Sequence, residues 1–265
     1  MTKPGILIIV TNSQNAAPPL STTTRSACKT REKAVASKPE KLQKQVEQAL
    51  QNLAATRGMS ICIFDLDGTI TPSNTITLLV EKALSQHPLR LLLYRAILKK
   101  ILYIAHQIQK KLKTKTDVQK HVLALALKGL TKEEVDRAAK AAALQAIKET
   151  KQTDAKHILA LMKTLQAQHN VLILSKTLDP LAPHIRSLFN APTITSKLKY
   201  KNGKIAGLKR ELNKTRYIQA LTRLGYKPLI TATDTPQELY PQFPVKIYIV
   251  AEEKRQRTSR QTLST

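Results

Sequence analysis

Ile61-Cys62-Ile63-Phe64-Asp65-Leu66-Asp67-Gly68-Thr69 is the stretch that decides the fold. Its first four residues form an unbroken apolar run, the pattern of a parallel strand buried on both faces. Two carboxylates follow at once, one residue apart. Open parallel sheets build their sites at the carboxyl ends of strands. Two acids there can serve a metal and a substrate together, and Gly68 permits a tight turn and the close approach of a phosphate. By composition, D-x-D-G-T arises by chance in about one chain in several hundred of this length. That rarity outweighs the plain reading of Asp-Gly as a surface turn.

Further apolar runs follow at Val171–Leu174, Leu229–Thr233 and Val245–Val250. Lys197–Tyr200 and Lys204–Leu208 flank Asn202-Gly203, a hairpin signal. Helical patterns fall between them, at about 154–168, at about 213–224 and briefly after Pro236. Strands alternating with helices predict an α/β core with a parallel sheet. Two of the later strands also end on polar residues, Ser175 and Asp234. Three polar strand ends in this order are harder to dismiss than any one alone, since a lone Ser is usually an N-cap or turn.

The gap between the first two strands reads as helical throughout, with Thr131-Lys-Glu-Glu134 as a capping box. A helical segment of this size is a cap over the site. Residues 1–39 are rich in Ser, Thr, Pro and Ala, lack periodicity and read as mobile. Ile6–Val10 is too short for a secretory signal core. Residues 40–56 read as a helix with Leu42, Val46, Ala49, Leu50 and Leu53 on one face. The expected organisation is an extension over 1–57, a core from 58–72 and 170–251, a cap and return helix over 73–169, and a basic tail over 252–265. Met59, directly before the strand, is a candidate start of a shorter product.

The chain has 265 residues, with 44 Lys+Arg against 18 Asp+Glu, so its formal net charge is +26. A hydrophobic fraction of 42% excludes a wholly disordered chain. Two cysteines, Cys28 and Cys62, exclude a disulfide scaffold and match no zinc spacing. No uncharged run is long enough to span a bilayer. The charge is spread along the chain, with +11 on residues 72–169, while residues 58–71 carry −2. Asp65 and Asp67 are therefore an acidic island in a basic protein, and such a shell attracts anionic phosphates.

The order of these motifs resembles the haloacid dehalogenase superfamily, in its phosphoserine-phosphatase-like branch with a helical cap (subfamily IB type). The resemblance covers about residues 60–250. It implies a Rossmannoid three-layer core with a parallel sheet and a helical cap inserted after the first strand. It also implies Mg²⁺-dependent phosphomonoester hydrolysis through an aspartyl-phosphate. Asp65 matches the nucleophile and Asp67 the general acid/base; Thr69 matches the residue that orients that acid. Ser175 and Lys214, with Thr69, match the phosphate-binding groups. Asp65, the Asp67 carbonyl and Asp234 match the metal ligands, with Gly68 and Glu238 in support. The chain departs from the pattern at Lys176, where the family often has Gly, and at Glu238, where it more often has Asp. Lys209 competes with Lys214, which is favoured because it opens a helix with an apolar face. Asn74, nine residues after Asp65, is a weak partner for an ammonium group and argues against phosphoserine as substrate.

Over Leu89–Lys113, Tyr94, Ile97, Leu98, Ile101, Ile104, Ala105 and Ile108 share a stripe opposite Arg95, Lys99, Lys100, Lys110 and Lys113. One reading packs this stripe on neighbouring helices. The other lays it on an anionic membrane. His87-Pro88-Leu89 before this helix, with Pro180-Leu181 after the second motif, resembles the bacterial phosphatidylglycerophosphatase C-type members of the branch, which implies a phospholipid-like or small anionic phosphate as substrate. The expected location is the cytoplasm, peripheral to the inner face of a membrane in the second reading. Two alternatives stand beside the enzyme: a weakly active or inactive family member retained as an interaction protein, and a non-specific nucleic-acid binder. Few aromatic residues and no nucleic-acid-binding motif count against specific nucleic-acid recognition.

Overall fold

The computed structural model describes residues 6–12, 59–98, 100 and 118–251. The readings for 13–58, for most of 99–117 and for the tail 252–265 lie outside the described residues.

Seven strands form one sheet. They are β1 (Ile6–Asn12), β2 (Ser60–Phe64), β3 (Asn170–Leu178), β4 (Thr193–Lys201), β5 (Lys204–Arg210), β6 (Lys227–Thr233) and β7 (Val245–Ala251). Their spatial order is β1-β7-β6-β2-β3-β4-β5. The contacts β7·β6, β6·β2, β2·β3 and β3·β4 are parallel, and both edges are antiparallel. β2 lies in the middle, and all five of its residues are buried. Its side chains alternate between two apolar clusters. Cys62 and Phe64 face one, Ile61 and Ile63 the other, so both faces of the sheet are covered and the core has three layers.

The helices are α1 (Thr75–Leu84), α2 (Pro88–Leu93), α3 (Val118–Ala126), α4 (Lys132–Gln152), α5 (Ala155–Gln166), α6 (Ala182–Phe189) and α7 (Lys214–Arg223). The first five lie between β2 and β3. On α4, Ala138, Ala139, Ala142, Ala143 and Ala146 form a buried small-residue stripe that lets α1 pack closely. The predicted capping box starts α4: Thr131 Oγ1 accepts the Glu134 N–H at 3.2 Å, and the Thr131 N–H donates to Glu134 Oε2 at 2.7 Å. The hairpin turns at Asn202 (φ 51°) and Gly203 (φ 71°), as its sequence predicts. It also reaches the loop before α4, where Gly129 N–H meets the Ile205 carbonyl at 2.8 Å and Ile205 N–H meets the Leu130 carbonyl at 2.9 Å.

Three sequence expectations change. Ile6–Asn12, inside the stretch read as mobile, is edge strand β1, paired antiparallel along the whole of β7. Its β-branched run suits a strand, but only the distant β7 edge completes it. β3 continues past its apolar run to Leu178, with a register break between Leu174 and Leu178, so Ser175 lies within a bulged strand end. The helix predicted from Leu89 changes at Tyr94 to a π-helical turn over Tyr94–Leu98. Tyr94 is buried in the core, while Leu89, Leu92 and Leu93 are exposed. Ile101, Ile104, Ala105 and Ile108 lie outside the described residues.

Candidate active site

Burial of β2 on both faces places Asp65 at the carboxyl end of the central strand. Asp65 N–H still follows the sheet ladder, donating to the Ala232 carbonyl at 2.9 Å. The chain then folds back on itself. The N–H groups of Thr69, Ile70 and Thr71 all point at the Leu66 carbonyl, and Gly68 N–H donates to the Thr71 carbonyl at 2.7 Å. Leu66 and Ile70 are fully buried and pin the turn to the core. Gly68 has φ +76°, and a Cβ there would fall 2.4 Å from Asp234 Oδ2. Only glycine lets the Asp234 carboxylate lie against this loop.

Asp67 is held from α1. The Thr75 N–H donates to Asp67 Oδ1 at 2.7 Å, and Asn74 caps the same helix by accepting the Thr77 N–H. Thr75 Oγ1 in turn meets Thr177 Oγ1 at 2.8 Å, tying α1 to the end of β3. There the Thr177 N–H donates to Ser175 Oγ at 3.1 Å. Asp234 follows β6 and accepts from Thr235 Oγ1 at 3.1 Å. A short 3₁₀ turn over Pro236–Glu238 then brings Glu238 back to the site.

Lys214 is the first residue of α7, which Asn213 caps. Its buried Nζ lies 2.8 Å from Asp65 Oδ1 and 2.5 Å from Glu238 Oε2. Glu238 Oε1 faces Lys176 Nζ at 3.4 Å. Desolvation by burial pushes the Asp65 carboxyl up to about 7, with Lys214 pulling the other way. Burial also raises Asp67, opposed by the Thr75 N–H. Burial works against the charged forms of both Lys214 and Glu238. Their ion pairs outweigh it, holding the lysine above and the glutamate below their ordinary ranges.

One cavity of about 170 Å³ collects these groups. Asp65, Asp67, Ser175, Lys214, Asp234 and Glu238 all line it, with Asn74, Lys176, Thr235, Ile76 and Leu123. Ile76 from α1 and Leu123 from α3 give it an apolar side. Gly68 lies behind, against Asp234. Thr69 is not in the lining: it is buried, and its Oγ1 has no hydrogen-bond partner among the described residues. The Thr75 N–H makes the contact expected of Thr69. Lys209 is exposed on β5, so Lys214 is the lysine at the site. Thr75 and Leu123 escaped the sequence reading. Thr75 meets Asp67 with both its N–H and its hydroxyl, though no spacing in the sequence ties it to that acid, and Leu123 comes from a distant helix.

Among the described residues, no three His, Cys, Asp or Glu side chains converge as a metal cluster. The set that the resemblance implies needs only two carboxylates, Asp65 and Asp234, and the Asp67 carbonyl. Lys214 and the Leu66 N–H both fall on Asp65 Oδ1, leaving Oδ2 as the other oxygen. These donors are all hard oxygens, and the bare Gly68 Cα brings Asp234 to the loop. This donor chemistry fits Mg²⁺.

A family model described as HAD, haloacid dehalogenase-like hydrolase, matches residues 62–236. No curated protein matches the chain. Among solved structures, a protein of unknown function from Bordetella pertussis Tohama I is 14% identical, with a TM-score of 0.52 over 66% of this chain and 82% of that one. A phosphoserine phosphatase in a phospho-aspartyl intermediate analogue form is 15% identical, with a TM-score of 0.47 over 71% and 84%. A HAD family hydrolase from Salmonella enterica serovar Typhi is 14% identical, with a TM-score of 0.48 over 76% and 68%. At 14% identity the Bordetella pertussis structure, whose TM-score lies above 0.5, bears on fold alone.

Proposed function

The chain belongs to the haloacid dehalogenase-like hydrolases, and from that premise we propose that it is a phosphatase that cleaves phosphomonoesters through Asp65. The observation that carries the reading is the buried Lys214 ammonium against Asp65 at the carboxyl end of the central strand. Asp65 attacks phosphorus, the ester P–O bond breaks, and an aspartyl-phosphate forms. Asp67 gives its proton to the leaving oxygen, and its raised pKa suits that task. Asp67 then takes a proton from the water that attacks the aspartyl-phosphate, and inorganic phosphate leaves. Lys214 and Ser175 hold the phosphoryl oxygens as charge develops on them. Asp65, Asp234 and the Asp67 carbonyl would hold Mg²⁺, which supplies Lewis-acid stabilisation of the transferring group. Phosphate release from p-nitrophenyl phosphate with Mg²⁺ tests the reading. Wild type should turn over and Asp65→Asn should not; full activity in Asp65→Asn overturns it.

A specific observation also favours a lipid-borne substrate. Leu89, Leu92 and Leu93 stand exposed on α2 beside exposed Arg90 and Arg95, an apolar patch with cationic flanks. Among the described residues no helix is long and apolar enough to cross a membrane. Co-sedimentation with anionic liposomes should exceed that with neutral ones. Equal binding at low salt counts against peripheral contact.

A further inference from the structure

We propose that Lys176 selects substrates carrying a second anionic group beside the phosphoryl ester, an inference that rests on the phosphatase reading above. The cavity holds two lysines at different depths. Lys214 is 5% exposed and locked between Asp65 and Glu238, so its charge serves the reacting phosphoryl group. Lys176 is 45% exposed in its side chain and lies towards the mouth, yet still lines the same cavity. Its partner is Glu238 Oε1 at 3.4 Å, a long contact. The other oxygen of Glu238 is bound to Lys214 at 2.5 Å, so Glu238 keeps a cationic partner when Lys176 leaves.

Exchange is therefore cheap. Lys176 is half-exposed and its contact with the buried Glu238 is long, and the flexible lysine stem can carry its ammonium across the mouth. The phosphoryl oxygens already have Lys214 and Ser175. An anion reaching Lys176 lies further out, on the leaving group. Asn74 and Ile76 in the lining offer no competing positive charge. The substrate class is a phosphomonoester whose alcohol bears a carboxylate or a phosphodiester close to the ester oxygen.

The test compares 3-phosphoglycerate with glycerol 1-phosphate, which share a three-carbon skeleton and differ by one carboxylate. Wild type should show the higher kcat/KM on 3-phosphoglycerate. Lys176→Met should lower that preference about tenfold, the worth of one charge-assisted hydrogen bond, mainly through KM. Lys176→Arg should retain it. Equal kcat/KM for the two esters in wild type, or an equal loss on both in Lys176→Met, overturns selection by Lys176 and leaves the phosphatase reading standing. Hydrolysis of neither ester, nor of p-nitrophenyl phosphate, overturns both.

Discussion

Gly68→Ala is the sharpest perturbation of the site, because two independent costs meet at one methyl group. The backbone at Gly68 has φ +76°, a left-handed conformation that costs an alanine about 1–2 kcal/mol. The added Cβ would also lie 2.4 Å from Asp234 Oδ2 and 2.7 Å from Asp234 Cγ. The Asp234 side chain is short, so it cannot move its carboxylate away without leaving the loop. If the loop keeps its path, Asp234 is displaced, the cost to stability stays near about 1–2 kcal/mol, and Tm falls by about 2–8 °C. If Asp234 keeps its place, the loop must move, and overpacking adds about 1–3 kcal/mol. In either case the proposed metal ligands Asp65 and Asp234 move apart. Thermal unfolding with and without Mg²⁺ separates the two costs: wild type should gain Tm from added Mg²⁺ by linkage, and Gly68→Ala should gain little. A variant that matches wild type in Tm and in its response to Mg²⁺ would falsify the close approach of Asp234 to this loop.

Lys214→Met leaves Asp65 and Glu238 buried without their shared cation, and urea unfolding should show a loss of about 3 kcal/mol, the scale of a broken buried pair; an unchanged midpoint refutes the pairing. Adding Glu238→Gln to that variant should recover part of the loss. Burial pushes the Cys62 thiol up to about 12, so at pH 8 it is protonated and enclosed. In a Cys28→Ser background Ellman's reagent should find no reactive thiol in the native chain and one after denaturation; rapid native labelling contradicts the packing. Thr131→Ala removes the α4 cap and should cost about 1 kcal/mol in unfolding, with Thr131→Ser close to wild type; equal stability of the alanine variant would show that the cap contributes nothing.

The parts of the fold that were legible share a physical reason. Ile61–Phe64 of β2 and Val171–Leu174 of β3 are buried on both faces of a parallel sheet, so each reads as a continuous apolar run, and the hairpin and capping box carry their own residue signatures. β1 was not legible, because its partner edge lies at the far end of the chain and a short Ile/Val run looks the same paired or unpaired. The π-helical turn at Tyr94 breaks a 3.6-residue stripe that the sequence continues without interruption. At the site, the motif side chains were legible and the partner of Asp67 was not. Asp67 depends on the Thr75 N–H and hydroxyl, which the fold brings to it, while Thr69, whose side chain suggested the role, is buried and makes no hydrogen bond among the described residues.

Glu238 shows why spacing alone leaves a charge pattern ambiguous. Four residues after Asp234, it matches by the resemblance the acidic partner of a metal ligand, while the structure turns it to lysines. The 3₁₀ turn settles where it points: Oε2 meets Lys214, Oε1 meets Lys176, and Thr233 Oγ1 lies 3.4 Å from Oε2. Its extra methylene, relative to Asp, lets one carboxylate touch a buried lysine and a half-exposed one together. The acidic island read from Asp65 and Asp67 is thus interleaved with cations drawn from α7 and β3. Buried pairs of this kind are screened far less than the diffuse surface charge. The net charge of +26 acts at long range on approaching anions. Contact electrostatics in the cavity instead follow from Lys214, Lys176, Asp65, Asp67, Asp234 and Glu238, so removing surface lysines elsewhere cannot substitute for changing these groups.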